Sequence, residues 1–467
     1  MVARAASRAR ETCNSTTGTG TLSLGGAIDS LHTTLLANIP SGTLVPYFIE
    51  AQDSSGEWEE GWGVVTSGSP DTLTRISTSV EYSSNANALV SFTSTNKHVW
   101  IGLGAGQWQE MAGLCEGRLT LTSAVPVTSS DVTGASTIYF TPYKGNGLTL
   151  FNGTRWKRYT FEQLSLAVPS AIFRVYDRFV YDNSGTLTLE DTAWDSGGQT
   201  TYTITAATNA APVVLTMASN SVSVGDLVGI KSMAGLTSCN DKIFRVQART
   251  GTTITLEGSV GNGAWTSGGT IYVIPASRTT SLAYQNGVLC QNGVLTRRYL
   301  GTFMCGATSG QTEDSVTKRL LWNMNNRVLR TLFAQDTTGS WTYGTASYRA
   351  ANTNTTPGQG CVWLVQGRQE DAVQATYGIT AYSTGGIQTV GIGENGTLAN
   401  AAQWWQATYP QAGNYMPITA RFRRIPVRGG LSFYQSLECA TSATVTFLGY
   451  GTGATQFSSG LNAECWS

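Results

Sequence analysis

Apolar residues in this chain come in short runs that alternate with polar ones and are cut off by turn residues. Thr19 to Leu24 (TGTLSL) alternates, and Val90 to Thr93 and Val99 to Leu103 follow in looser form. LTLTSAVPV after Arg118, STIYFTPY and GLTLFNGTRWKRYTF continue the pattern. Turn signals recur roughly every ten residues, at Gly25-Gly26, Ser55-Gly56, Ser67-Gly68 and Ser84-Asn85. A period of two buries one face and wets the other, which suits antiparallel sheets rather than a parallel α/β core. Composition agrees, since threonines outnumber the 29 Lys+Arg and 29 Asp+Glu together, and 53 Gly stand beside 12 Pro. Such a balance favours strands and tight turns. With 41% hydrophobic and 10% aromatic residues, the chain has ample material for a core, so disorder is not expected. The expected fold class is all-β: several antiparallel β-sandwich or barrel domains in tandem, one of them inserted, with few short helices.

Two segments interrupt this reading. Thr160 to Ala167 (TFEQLSLA) has a capping-box spacing, Thr160 with Gln163, and is expected to form a helical turn. Thr312 to Ala334 is the one long helix candidate, with Glu313 and Asp314 at its start and Val316, Leu320, Met324 and Val328 at i+4. Against it, Asn323, Asn325 and Asn326 are poor helix residues, and Leu320 to Met324 also alternates as a strand would. Both readings stay open there. Asn152-Gly153 between apolar flanks marks a hairpin turn.

The length of 467 residues is about three domains at roughly 150 residues each. The character of the chain changes at Gly197-Gly198, and TYTITAATN, PVVLTM, VGDLVGI, KIFRVQA, TTITLEG and GTIYVI follow in close succession, as in a small barrel. Beyond them SLAYQNGVLCQNGVLTRRYLGTF reads like the stretch preceding Gly197, and its doubled QNGVL is too short to be an architectural repeat. The expected layout is an N-terminal β domain (1–115), a discontinuous central β domain (116–198 and 281–345), a small inserted β-barrel (199–280) in a surface loop, and a C-terminal β-sandwich (346–467).

Several chemistries have no foothold. The formal net charge is zero, so a nucleic-acid partner is not expected. No apolar run approaches the roughly 18 residues of a membrane span, and the arginine-rich start lacks the apolar stretch of a secretory signal. Eight scattered cysteines form no CxxC pair, and only His32 and His98 are present, so no metal centre is expected. GxSxG, HExxH and P-loop patterns are absent, and neither a nucleotide nor any other cofactor is expected. Carboxylates cluster at Glu57, Glu59 and Glu60 and at Glu370-Asp371. Glycosidase chemistry needs two such groups about 5–10 Å apart across a cleft, and sequence neighbours do not supply that, so turn acids are the expectation and an enzyme is not. Three N-glycosylation patterns, at Asn14, Asn152 and Asn395, are read as accidental.

The most informative cluster is aromatic. Trp404, Trp405, Tyr409 and Tyr415 lie close together in polar sequence. Exposed indoles match the flat C–H faces of sugars and carry a polar edge, whereas buried ones pack a sandwich core. Both roles are open for these four residues, as they are for Trp58 and Trp62.

The run GRLTLTSAVPVTSSDVTGASTIYFTPYKGNGLTLFNGTRWKRYTFEQLSLA, with YDNSGTLTLEDTAW, NGVLTRRYLGTF and TEDSVTKRLLWNMNNRV, resembles a module of tailed-bacteriophage virion structural proteins, of the tail fibre type. ETCNSTTGTGTLSLGGA with TLVPYFIEAQDSSGEWEEGWGVV resembles an N-terminal module of the same class, and VSVGDLVGIKSMAGLTSCNDKIFRVQARTGTTITLEG with TSGGTIYV is similar to the FCCH-like β-domain of phage particles. Together these cover most of residues 11 to 335. The resemblance implies a virion protein assembled in the host cytoplasm, attached to the particle by its N-terminal domain and contacting the host surface by its C-terminal domain. Alternatives are a head, neck or collar fibre or decoration protein, and a polysaccharide depolymerase. Implied partners are other virion (tail or neck) proteins and a host surface polysaccharide or other receptor. A homotrimer is expected, because charge-poor strand edges need cover and cyclic symmetry supplies it. Cys13, Cys439 and Cys465, nearest the ends, are candidates for interchain disulfides formed outside the reducing cytosol, with buried free thiols the alternative.

Overall fold

The computed structural model describes residues 8–37, 39–102, 113–383, 385–408, 414–441, 443–450 and 459–467. It is all-β, built from multiple antiparallel sheets, and among the described residues helical structure is confined to two 3-10 turns, Leu35–Ala37 and Ala351–Thr353. The chain forms two compact units, residues 1–111 with 156–158, and residues 112–155 with 159–467.

In the first unit a six-stranded sheet runs in the order Arg10–Cys13, Lys97–Trp100, Thr43–Ala51, Trp58–Thr66, Thr72–Ser83, Leu22–Ser23. Alternation places Val45, Tyr47 and Ile49 on one buried face with Val65, Leu73 and Val99. Glu59 is sealed beneath them, and its carboxylate accepts hydrogen bonds from the Arg75 guanidinium (3.1 Å) and the Tyr47 hydroxyl (2.7 Å).

The second unit has a central sheet ordered Thr186–Ala193, Val175–Asn183, Val294–Met304, Val288–Gln291, Leu282–Gln285, with Leu321–Asn323 also paired to Val294–Met304. Between Thr186–Ala193 and Leu282–Gln285, the chain from Thr201 to Ile274 folds into a seven-stranded sheet with a core of its own, including Val228, Ile230, Phe244, Val246 and Ile271. That sheet is not isolated. Leu227, Ile243 and Ile274 point the other way, into a core shared with Phe173, Trp194, Trp322 and Trp363. Phe173 lies so close to Gly229 that a Cβ there would stand 2.2 Å from its ring, which is why a glycine occupies the middle of the Leu227–Ala234 strand.

The C-terminal region is a sandwich of two sheets. One contains Ile387–Glu394, Gly430–Thr441 and Cys361–Gln366, extended by Lys318–Arg319, Thr312–Asp314 and Val132–Ala135. The other runs Leu329–Ala334, Gly460–Trp466, Val373–Ser383, Met416–Arg424, Trp404–Trp405. Between them lie Val362, Leu364, Tyr377, Ile379, Ile392, Ile418, Phe422 and Phe447.

One expectation is corrected, and one open alternative is decided. Thr160 to Ala167 is not helical: Leu164–Ala167 is a strand paired with Thr137–Pro142. Gln163 turns away from a cap and accepts hydrogen bonds from Ala124 N (2.5 Å) and Thr141 Oγ1 (2.8 Å). Of the two readings open for Thr312 to Ala334, the strand one holds: strands run over Thr312–Asp314, Lys318–Arg319, Leu321–Asn323 and Leu329–Ala334, and Val316, Leu320, Met324 and Val328 fall in the bends and links between them. Leu320 and Trp322 enter one core while Leu321 enters another. The asparagines do backbone work: Asn323 bonds both the N–H and the C=O of Leu119, and Asn326 adopts φ 55° and donates to Cys115 O and Gly117 O. Strand pairing also crosses residue 345. Leu329–Ala334 pairs with Gly460–Trp466 and Ser340–Tyr343 with Val445–Leu448, so residues 312–343 supply strands to the C-terminal sandwich.

Candidate ligand-binding face

The aromatic cluster divides on folding. Trp404–Trp405 is a two-residue strand at the sheet edge, with Trp404 opposite Arg421 and Trp405 opposite Ala420. Successive residues on a strand point to opposite faces, so Trp404 shares the outer face with Arg421, while Trp405 points toward the core side but overhangs its edge. Both indoles are about half exposed, at 50% and 49%. Tyr415 is 52% exposed and meets Tyr382 edge to face, with ring centroids 5.0 Å apart. Tyr409 lies outside the described residues.

The outer face that carries Trp404 bears a row of side chains assembled from five strands. Register places Trp404 beside Arg421, Arg421 beside Thr376, Thr376 beside Asn462, and Asn462 beside Phe333. Four strand spacings of about 4.8 Å make this row ~19 Å long. Next to it Thr419, Gly378 and Gly460 form a second row, in which Gly378 leaves a dent and Gly460 is covered by the Phe333 ring. Thr376, Thr380, Pro417, Thr419, Ser459 and Asn462 contribute to a groove of about 380 Å³, closed at one end by Phe333. The described side chains lining it are uncharged, with Arg421 standing beside Thr376 in the adjoining row. Among the described residues a Cβ added at Gly378 would meet Thr419 Oγ1 at 3.8 Å and Ile418 O at 3.9 Å, ordinary contact distances, whereas one at Gly460 would come within 2.9 Å of the Phe333 ring. Arg421 is the nearest cation, its guanidinium carbon 5.4 Å from the Trp404 ring centroid. Phe333, Thr376, Gly378 and Asn462 carry no local signal in the sequence, and Phe333 falls within the helix candidate.

The carboxylate clusters are occupied elsewhere. Glu57 accepts hydrogen bonds from Thr93 Oγ1 (2.7 Å) and the Thr93 amide (2.9 Å), and Glu59 is paired with Arg75. Glu370 sits 2.8 Å from Arg327, which also holds Asp371. Among the described residues no three His, Cys, Asp or Glu side chains gather as a metal-ligand set. Asn395 is buried, its Oδ1 accepting the Phe433 amide at 2.9 Å. Cys13 and Cys465 are buried within hydrophobic cores, so a bridge from either to another chain requires that core to open; Cys439 is partly exposed.

The class defined by this geometry is a multi-sheet β protein with an open, polar sheet face edged by aromatics. No family model matches the chain, and no curated protein does. Among solved structures, an insecticidal delta-endotoxin of Bacillus thuringiensis is similar over 74% of this chain at 6% identity and a TM-score of 0.18. The chain spans about half (51%) of the endotoxin's length. The infectious bursal disease virus Gx strain structure aligns over 73% of this chain and 77% of its own, at 11% identity and a TM-score of 0.14. A mutant VP2 protein of the same virus aligns over 74% and 76%, at 10% identity and a TM-score of 0.17. These TM-scores fall well short of a shared fold.

Proposed function

We propose that the chain is a structural protein of a tailed-phage particle, a tail fibre or spike component that attaches by its N-terminal region and presents its C-terminal sandwich to the host surface. The observation that carries the host-contact role is the exposure, among the described residues, of Trp404 and Tyr415 beside a groove-bearing sheet face. Large aromatics left in water beside a shaped polar surface are informative in a way that scattered exposed aliphatics are not. The sequence resemblance over residues 11 to 335 supports placement in the particle. The role is binding rather than turnover, with several copies in a homotrimer adding weak contacts through effective concentration. Eight free thiols suit folding in a reducing cytoplasm before the protein works outside it. Immunogold electron microscopy of particles carrying a C-terminal tag tests this reading. Label at the distal end of a tail appendage supports it; label on the head, on the neck, or on no particle refutes it.

A further inference from the structure

We propose that a cleft beside the inserted sheet is an anion-binding site, taking a small molecule that carries a carboxylate or phosphate group between Arg278 and Arg368. The cleft shares no lining residue with the groove at Thr376, and the inference goes beyond the host-contact reading.

The cleft measures about 380 Å³ and lies where the chain returns from the inserted sheet, with Trp194, Ala276, Leu282 and Gly429 among its walls. That volume falls in the range of small-molecule sites. Among the described residues, the two charged side chains that line it are both cations, and each has donors left over. Arg278 gives Nε and Nη2 to Asp177, Tyr299, Thr302 and Gly367 O, while its Nη1 meets no acceptor among the described residues. Arg368 gives Nε to Glu370 (2.9 Å) and Nη1 to the Tyr284 hydroxyl (2.8 Å), which leaves its Nη2 likewise without one. The two side chains are 15% and 30% exposed, so a ligand can reach them.

The cations are held in place before any ligand arrives. Arg278 is fixed by its hydrogen bonds and lies 4.2 Å from the Trp194 ring centroid. Cβ atoms at Gly429 and Gly430 would stand 3.3 and 3.0 Å from that indole, so the glycines let the chain settle on it and firm the wall. Such preorganisation lowers the cost of binding. Charge favours an anion too. Arg428, next to Gly429, is buried with Nη2 on Ile274 O (3.0 Å) and pairs with no carboxylate among the described residues. The guanidiniums of Arg278, Arg327, Arg368 and Arg428 therefore outnumber their carboxylates Asp177, Glu370 and Asp371 by one. A carboxylate or phosphate accepts from guanidinium N–H groups in short, charge-assisted bonds, whereas a cation meets like charge and a neutral molecule forms only weaker bonds. Ala276, Leu282 and the Trp194 edge leave room for a small carbon body on the anion.

Titration calorimetry of the full chain tests the site, in about 0.15 M sodium chloride so that loose surface attraction is screened. Phenyl phosphate and benzoate are the anionic probes, benzyl alcohol the neutral one and benzylamine the cationic one. At least one anion is expected to bind saturably at one site per chain, and neither of the other two. Phenyl phosphate alone assigns the site to phosphate esters, benzoate alone to carboxylates, and either result supports the proposal. Arg368→Gln is expected to weaken binding about tenfold. Ala276→Trp, at an exposed position, is expected to fill the cleft and abolish binding, and Arg249→Gln, exposed on the inserted sheet, to leave it unchanged. Thermal unfolding checks each variant, and if Ala276→Trp melts early the Arg368→Gln result decides. The proposal is overturned if neither anion binds, if the alcohol or the amine binds as tightly, if Arg368→Gln binds like the parent, or if Arg249→Gln weakens binding as much as Arg368→Gln does.

Discussion

Replacing Asp177 with asparagine should loosen the junction where the inserted sheet rejoins the rest of its unit. Asp177 lies on the Val175–Asn183 strand, and its carboxylate accepts four hydrogen bonds. Trp194 Nε1 and Thr302 Oγ1 reach Oδ1 at 2.8 and 2.6 Å, and Arg278 reaches Oδ2 through Nε at 2.5 Å and Oδ1 through Nη2 at 3.0 Å. Arg278 is on the segment returning from the insertion. Its guanidinium also donates to Gly367 O (2.6 Å), beyond the Cys361–Gln366 strand, and lies 4.2 Å from the Trp194 ring centroid. The side chains are 15% and 4% exposed, so solvent screens the pair little. An amide in place of the carboxylate turns an N–H toward the Arg278 N–H and leaves a buried cation uncompensated. Breaking such a pair from one side costs about 3–5 kcal/mol, and a unit-charge interaction at about 4 Å and an effective dielectric of ~20 has the same size. Arg278→Met should cost less, because Trp194 and Thr302 still serve the carboxylate. The double variant should be more stable than the sum of the two losses predicts, by about 0.5–3 kcal/mol. Hydrogen exchange read by mass spectrometry on peptides covering 175–183 and 282–291 measures the local opening free energy without assuming one global transition. A loss under about 1 kcal/mol in Asp177→Asn, or strict additivity in the cycle, would refute the reasoning.

Three further outcomes are expected. Burial pushes the thiols of Cys305, Cys361 and Cys465 up to about 12 and those of Cys239 and Cys290 up to about 11. Iodoacetamide at about pH 8 should therefore modify Cys439 in the native protein and these five only after denaturation, and mass spectrometry showing native labelling of Cys465 would contradict the burial. Because these folded-state values lie above the ordinary thiol value of 9.0, the stability they contribute is complete below that value and is lost as pH rises toward 11–12. Glu257→Ala strips acceptors from the Thr397 amide (2.6 Å) and the Leu398 amide (3.1 Å), and should cost about 1–3 kcal/mol, seen as faster exchange of those amides. Light scattering should give a mass near three times 49.6 kDa, and a mass near 49.6 kDa would exclude the trimer.

The all-β class was legible because alternation is a local property: Val45, Tyr47 and Ile49 announce their buried face within a few residues. A change of character at Gly197-Gly198 precedes the sheet of residues 201–274, but the docking of that sheet has no local signal. Leu227 and Val228 are adjacent and enter different cores, and nothing local says which apolar neighbour faces which layer. The same ambiguity left helix and strand both open over residues 312–334, where Leu321, Trp322 and Asn323 are all buried and no period of two shows. At the candidate face, Trp404 and Tyr415 were visible because they cluster in sequence. Thr376, Asn462 and Phe333 come together only through register between distant strands, and a lone threonine or glycine in a chain rich in both carries no signal.

The strand Gly460–Trp466 lies inside its sheet, between Leu329–Ala334 and Val373–Ser383, and Ser467 O accepts a hydrogen bond from Arg118 across 349 positions of chain. Its consequence is kinetic. Loop closure over such separations must precede any reward from the contacts, so the large unit belongs among slow folders. Until that strand arrives, the Leu329–Ala334 and Val373–Ser383 strands each present an open row of amides and carbonyls to one another's vacant side. An intermediate of that kind recruits strands from neighbouring molecules at high concentration. Dilute, cool refolding should accordingly recover far more of this protein than concentrated refolding, with the losses appearing as intermolecular β aggregates.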